Sequence, residues 1–464
     1  MPSTDAPLPR SRSERPLVMA GASLVDLTKG RILPDGLLCV GGGRASAVSS
    51  STVRFADEPA PRVVEASGLY ICSGLYDGHV HYRDDREAAL YLANGVTTVR
   101  NMWGTDWHLS IGDRDSDAPR PRITTASPVL DGPTSAQTST WPGVILCRSY
   151  AEGAQAATRL ADCGYRMLKI YANLDRQALA GICNVARDRG LQVVGHCPGS
   201  LTFEEAARQG VSCLEHLENV ESGHLLPEYE RAIRSLRGRS KQLGPARTAV
   251  EALRLRTAGI DWLAIERMAD ELVAAGTAVC PTLSLYRMMF QDPEVALQDP
   301  ALDYMPQEQI AQWHPRRDFR LKDLVPVWPE VVELSRRRLD LYLEIVALLH
   351  SRGVKIIAGT DAPNPFVVPG FSLHQELSLL VYAGLTPLEA LRCATTTPME
   401  HFGRGARSSM DALDEDFLLL DENPLQSLRT LRQPFGVVSK GTYHSRADLA
   451  ELLERQRMNR SRPA

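Results

Sequence analysis

Short apolar runs recur along the chain, and the material between them changes character twice. From Leu17 to Cys72 the runs are brief and β-like, at Leu17–Met19, Ser23–Val25, Leu37–Val40 and Ala45–Val48. Turn residues such as Asp35-Gly36 separate them, which predicts a small antiparallel sheet. From Gly74 to about Gly403, short apolar strands alternate with helical segments, the pattern of parallel βα units. The expected strands end at His79-Val80-His81 and then occupy Val96–Val99, Arg122–Thr125, Met167–Ile170, Gln192–Gly195, Cys213–Glu215, Ala278–Pro281 and Lys355–Ala358. Helices are expected between them, including 151–163, 175–189, 202–209 and 330–351. Eight such units predict an α/β fold, a (β/α)8 TIM barrel over residues 73–403.

After Gly403 the pattern returns to sheet. Phe417–Leu420 is followed by a turn at Asp421–Pro424, and a hairpin is expected around Lys440-Gly441, with a terminal helix over 447–457. Residues 17–72 and 404–464 are therefore expected to form one small β-sandwich domain from both chain ends. Residues 1–16, rich in Pro, Ser and Arg, read as a disordered tail with no apolar core of a signal peptide. Two connections, 218–275 and 286–327, are long for a compact domain. Each is open to two readings, a lid or binding loop and a tolerated surface insertion.

Composition narrows the functional classes. The 464 residues are 44% hydrophobic and 23% charged, with a net charge of −4, an ordinary globular balance with no basic patch for nucleic acid. No apolar run reaches transmembrane length. The nine cysteines are odd in number and contain no Cys-x-x-Cys, which reads as buried free thiols in a reducing compartment and predicts the cytoplasm.

The chemistry starts at Gly74–His81. Residues two apart on a strand share a face, so His79 and His81 would present two imidazoles together at a strand end. Imidazole is the commonest protein ligand for transition metals. Lys169, His196, His216 and Asp361 also fall at the C-terminal ends of expected strands, and in a barrel those ends ring one mouth.

Asp77-Gly78-His79-Val80-His81, Leu168-Lys169-Ile170-Tyr171, Gly195-His196, Glu215-His216 and Gly359-Thr360-Asp361-Ala362 together resemble the metal-dependent amidohydrolase superfamily. Pro369–Leu377 and Leu385–Leu391 resemble its imidazolonepropionase-like and binuclear metal prolidase branch. The resemblance runs in order along nearly the whole chain. It implies two divalent metal ions, zinc foremost, with His79 and His81 on the more buried one and His196 and His216 on the other. It implies a carboxylated Lys169 bridging them, and Asp361 as both ligand and proton acceptor. Tyr171 would polarise a scissile carbonyl or simply pack. The implied activity is hydrolysis of an amide (C–N) bond in a small-molecule substrate, such as an N-acyl amino acid, an Xaa-Pro dipeptide or a cyclic amide. A mononuclear deaminase or imidazolone-type hydrolase is the alternative within enzymes, and a non-catalytic barrel acting as a binding module the alternative outside them. His374, Tyr286 and Arg83 are weaker candidates for substrate contact, a solvated surface position being the plainer reading of each. No role falls to His108, His224, His314, His350, His401 or His444. Family members carry a Gly-rich, Lys-Ala-Asp-Leu-like segment before the late strand; residues 407–416 depart from it. The sequence leaves the oligomeric state open, a homo-oligomer included, and points to no nucleic acid or membrane partner.

Overall fold

The computed structural model describes residues 17–41, 44–48, 62–112, 119–134, 143–402 and 416–459. The expected tail 1–16 and most of the departing segment 407–416 lie outside the described residues, and only Asp416 of that segment falls within them.

Seventeen strands are described. They are β1 (Leu17–Asp26), β2 (Arg31–Gly41), β3 (Arg44–Val48), β4 (Arg62–Glu65), β5 (Tyr70–Ser73), β6 (Leu75–Val80), β7 (Val96–Asn101), β8 (Arg122–Thr125), β9 (Val129–Asp131), β10 (Ile145–Leu146), β11 (Met167–Ile170), β12 (Gln192–His196), β13 (Val211–Glu215), β14 (Ala278–Cys280), β15 (Phe417–Leu420), β16 (Gly436–Ser439) and β17 (Thr442–Ser445). They form an eight-stranded sheet from both chain ends and two all-parallel sheets, in the orders β6-β7-β8 and β10-β9-β11-β12-β13-β14. The chain is thus a mixed α/β fold built on parallel strands.

In the end-formed sheet the C-terminal strand β15 runs antiparallel beside β5, with Phe417 opposite Ser73 and Leu420 opposite Tyr70. β16 and β17 make the expected hairpin, Ser439 opposite Thr442. Lys440 and Gly441 both have positive φ there, 51° and 77°, the two-residue turn whose twist matches the flanking strands. The two expected runs at 17–19 and 23–25 merge into the single strand β1, with register shifts against β2 near Ala22.

The parallel strands are buried on both faces, β6 and β11 completely, which is why they read as continuous apolar runs rather than alternating ones. The helices between them start at side-chain caps. Ser149 caps Tyr150–Asp162, Asp175 caps Arg176–Arg189, and Thr202 forms a capping box with Glu205 at the head of Phe203–Gln209.

The strand expectations change in two ways. β4, β9 and β10 were not expected; they are four, three and two residues long, too short to carry a pattern. The eighth run, 355–358, is no regular strand but a stretch with bridges on two sides. Ile356 bridges Val279, and further on Ala362 bridges Val80. Close approach explains the irregularity. A Cβ on Gly78 would lie 2.4 Å from Ile357 and 2.7 Å from the Ala358 carbonyl, and a Cβ on Gly359 would lie 2.5 Å from the Cys280 sulfur. Glycine at both positions lets β6 and the 355–362 stretch touch through their backbones.

Both long connections are mostly helical. The first holds Glu218–Gly223, Pro227–Leu243, Pro245–Ala258 and Trp262–Ala275. The second is a series of short helices between Leu283 and Val327, followed by the long helix Trp328–Ser351. Among the described residues, no helix is long and apolar enough to cross a membrane.

Candidate active site

His79 sits on β6, and His81 lies one residue past its end. Their rings are 5.5 Å apart and both reach one carboxylate: His79 Nε2 lies 3.3 Å and His81 Nε2 2.8 Å from Asp361 Oδ1. Asp361 arrives on the 355–362 stretch, its backbone N–H donating to the His79 carbonyl at 2.7 Å. His216 follows β13; its Nε2 is 4.0 Å from Asp361 Oδ2 and its ring 4.9 Å from that of His79. The ring of His196, at the end of β12, lies 4.4 Å from that of His216 and 4.2 Å from that of Tyr171, tilted against both. Lys169 on β11, Tyr171, His81, His196, His216 and Asp361 all line one cavity of about 1000 Å³. All seven residues singled out from the sequence are thus in one neighbourhood.

Three residues in this region hold left-handed backbone although none is glycine: His216 (φ 65°), Thr282 (φ 50°) and Asp361 (φ 62°). Such conformations cost of order 1–3 kcal/mol each and persist where the surroundings over-determine them. Here the surroundings do so through hydrogen bonds. The His216 N–H donates to the Cys280 carbonyl, His216 Nδ1 pairs with Thr282 Oγ1 at 2.7 Å, and Asn364 Nδ2 donates to the Asp361 carbonyl at 2.6 Å.

The electrostatics suit cation binding. Burial keeps His196 and His216 below the ordinary histidine range and pushes His81 down to about 4, so these rings are neutral with lone pairs available. Burial also opposes a charge on His79, but the carboxylates of Asp361 and Glu215 outweigh it and raise its pKa. Asp361 resists burial through the same pairing, His79 and His81 holding it well below the usual carboxylate range. Lys169, 1% exposed, is pushed down to about 8 by burial. Its Nζ has no hydrogen-bond partner, nor has His196 Nδ1. Buried polar atoms left in this way call for a partner, and a bound cation supplies one. Asp361 Oδ1 lies 2.8 Å from His81 Nε2 and 3.3 Å from His79 Nε2, so both imidazoles and the carboxylate point at one spot. Imidazole nitrogens with one carboxylate form a donor set suited to a divalent transition metal, and His79, His81 and Asp361 alone offer three ligand atoms within 4.8 Å of one another.

The supports behind this set had no sequence reading. Glu215 accepts from His79 Nδ1 at 2.8 Å and from Arg100 Nη2 at 2.8 Å. Arg100, fully buried, also donates to the Gly78 carbonyl at 2.5 Å and lies over the Phe402 ring. Glu215 therefore fixes the His79 ring so that Nε2 faces Asp361, the arrangement by which outer carboxylates orient ligating histidines. Asp77 accepts from the Thr360 hydroxyl at 2.7 Å and from its N–H at 3.0 Å, tying β6 to the strand end that carries Asp361; burial lifts Asp77 to about 7. Glu215 and Asp77 stood inside the quoted motifs, adjacent to His216 and two residues before His79. Arg100 gave no signal of its own.

Two of the weaker candidates are not solvated. His374 is 6% exposed, in the first turn of Phe371–Tyr382 and away from the cavity lining; Tyr286 is 3% exposed, packs on Tyr342 and accepts from the Leu217 N–H. Tyr286 does line the cavity, as does the exposed Arg83. The apolar helices that cover both buried residues come from segments distant in sequence.

No family model matches the chain. An adenine deaminase from Chelativorans sp. (strain BNC1) is 23% identical over 290 residues, 55% of this chain and 48% of that protein. An adenine deaminase from Moorella thermoacetica is 34% identical over 79 residues, 17% of this chain and 13% of its own. The chain thus spans about half or less of the length of these curated relatives. Among solved structures, bottromycin amidohydrolase superposes with a TM-score of 0.77 at 24% identity, covering 97% of this chain and 91% of that one. A prolidase from Bifidobacterium longum gives 0.64 at 22% identity over 96% and 99%, and an A. niger ochratoxinase 0.60 at 16% over 93% and 96%. With parallel strands and the 355–362 stretch bringing the histidines, the lysine and the aspartate to one cavity, the chain shares the fold of these solved structures.

Proposed function

We propose that the protein is a metal-dependent hydrolase that cleaves an amide C–N bond in a small molecule. The observation that carries this reading is the meeting of His79, His81 and Asp361, with His216, His196 and Lys169 beside them in one cavity. His79, His81 and Asp361 would hold one divalent cation, and His196 and His216 a second, zinc foremost. Lys169 would join the two as a carbamate. The low pKa of its amine favours the neutral form that adds carbon dioxide, and the added negative charge suits a site rich in neutral imidazoles. When bound, such cations acidify water and polarise a carbonyl.

The chain's own groups do the rest. Asp361, ionised over the whole working pH range, accepts the proton of the attacking water and returns it to the leaving nitrogen, so that amide and water become acid and amine. The Tyr171 hydroxyl, kept protonated by burial, is available to donate to the carbonyl oxygen. Glu215 and Arg100 keep His79 in its tautomer. The fold proposal goes with this. The two parallel sheets and the 355–362 stretch close as an eight-stranded barrel over 73–403, and the end-formed sheet folds as a β-sandwich over 17–72 and 404–464. An inner cluster of Met102, Ala126, Met167, Val194, Cys213, Ala278, Cys280 and Ile357, drawn from successive strands, supports closure. The described cysteines are all free and all but Cys163 buried, which supports a reducing compartment, the cytoplasm.

The two adenine deaminase matches favour one second reading, a deaminase using a single cation with Lys169 unmodified. Metal content per chain on freshly purified protein, with Lys169→Ala alongside, separates the two. Two metals, falling to one or none in the variant, support the bridged hydrolase. One metal, unchanged by the substitution, overturns it in favour of the deaminase.

A further inference from the structure

The connection 286–327 supplies much of the lining of the cavity that holds the ligand set. Met289, Phe290, Met305, Trp313 and Phe319 contribute aromatic and thioether surface to that wall, alongside polar residues such as Gln307, Glu308 and Arg317. Two observations bear on what it covers. The cavity, about 1000 Å³, lies at the top of the ~300–1000 Å³ range of sites that enclose drug-sized ligands, far more than a dipeptide or an N-acetyl amino acid fills. Phe319 is 55% exposed although it faces that cavity, so a large aromatic ring stands in solvent where a ligand would cover it.

The wall is also fixed to the chemistry. Arg320 is gripped by Asp318 through Nε at 3.1 Å and Nη2 at 2.8 Å, and its Nη1 donates to Asn364 Oδ1 at 2.8 Å. Asn364 in turn holds the Asp361 carbonyl. The recognition surface is therefore tied by hydrogen bonds to the backbone of the residue that carries the catalytic carboxylate.

From these features we infer that the substrate is an amide whose non-reacting half is bulky and apolar, carrying an aromatic or comparably large group, and that Phe319, Met289 and their neighbours select it. The inference rests on the hydrolase reading and names its substrate class. Methionines suit such a surface because their unbranched thioethers adapt to irregular shapes. The aromatic rings add stacking area.

The test compares kcat/KM for N-acetylglycine with N-(2-naphthoyl)glycine and N-acetyl-2-naphthylalanine, which place the bulk on either side of the scissile bond. At least one naphthyl compound is expected to be preferred by about tenfold or more, and Phe319→Ala to lower that preference by about tenfold. Met289→Trp, which fills the cavity, provides a second variant. Equal or better turnover of N-acetylglycine, or a preference unchanged in both variants, overturns the inference. Binding is read independently of turnover, from quenching of tryptophan fluorescence by the naphthyl compounds. Quenching that weakens in Phe319→Ala without any turnover upholds the recognition wall and defeats the hydrolase reading. Turnover of N-acetylglycine without naphthyl binding does the reverse.

Discussion

Arg100→Met tests whether the buried ion pair behind His79 is what holds the ligand set in place. The substitution keeps an unbranched side chain of similar length and removes only the guanidinium. Two groups are then left wanting. The Glu215 carboxylate, fully buried, loses its guanidinium while keeping the His79 N–H, and the Gly78 carbonyl loses its donor at 2.5 Å. A hydrogen bond to a charged group contributes about 1.5–3 kcal/mol. Removing one partner of a buried pair costs about 3–5 kcal/mol, because the other charge stays behind. The expected loss is therefore about 3–5 kcal/mol. Glu215→Gln in the same background removes the stranded charge while keeping an acceptor for the His79 N–H, so the double variant is expected to be about 1.5–3 kcal/mol more stable than the sum of the singles. The assay is urea unfolding of metal-stripped protein, followed by tryptophan fluorescence. Arg100 and His79 hold the folded-state pKa of Glu215 far below its unfolded value of about 4.3, despite burial. The pair's contribution is thus fully present above that unfolded value and is lost as pH falls towards the folded one. The cost of Arg100→Met should accordingly shrink as the solution is acidified below about 4.3. A loss under about 1 kcal/mol, or singles that add within about 0.5 kcal/mol, would refute the reasoning.

Two further outcomes follow from buried ionisable groups. Lys169, pushed down to about 8, becomes a competent nucleophile towards carbon dioxide only as its neutral form, so at a fixed concentration of dissolved carbon dioxide, zinc uptake by metal-free protein should speed up as pH rises through about 8 and then level off; uptake indifferent to carbon dioxide at every pH would count against the carbamate. Glu376 accepts the Leu283 and Ser284 N–H groups at 3.0 and 2.6 Å, so Glu376→Ala should cost about 1–3 kcal/mol in thermal or urea unfolding and loosen the Leu283–Met289 helix, raising KM more than it lowers kcat; an unchanged KM would show that this helix does not shape the substrate wall.

What the sequence could and could not convey divides along one physical line. Information carried by local spacing was legible. His79 and His81, two apart at a strand end, do turn to one side and meet one carboxylate, and Tyr171, two past Lys169, does line the same cavity. The βα alternation was legible because parallel strands buried on both faces stay apolar over several residues, which a single solvated face does not permit. Pairing between distant segments was not legible. Glu215 stands 136 positions from His79 and 115 from Arg100, and nothing in either neighbourhood marks an arginine on a strand as the partner of a glutamate on another. The choice between lid and insertion for 286–327 was open for the same reason, since apolar residues in a loop look alike whether they cover the core or a substrate.

The irregular places in the fold are also the ones that make the site. The eighth strand expected at 355–358 gives way to isolated bridges, and a few residues later Asp361 turns left-handed. A regular strand continuing through 361 would keep alternating its side chains across the sheet and bury its N–H in a ladder. Here the Asp361 N–H instead bonds the His79 carbonyl, and its carboxylate swings to the oxygen-to-nitrogen contacts with His79 and His81. Asn364 fastens that turn from one side and Asp77, through Thr360, from the other. The strain at Asp361, about 1–3 kcal/mol, is thus offset by bonds that also join the ligand set to the substrate wall. Loosening either fastening should therefore disturb cation binding before it disturbs the fold.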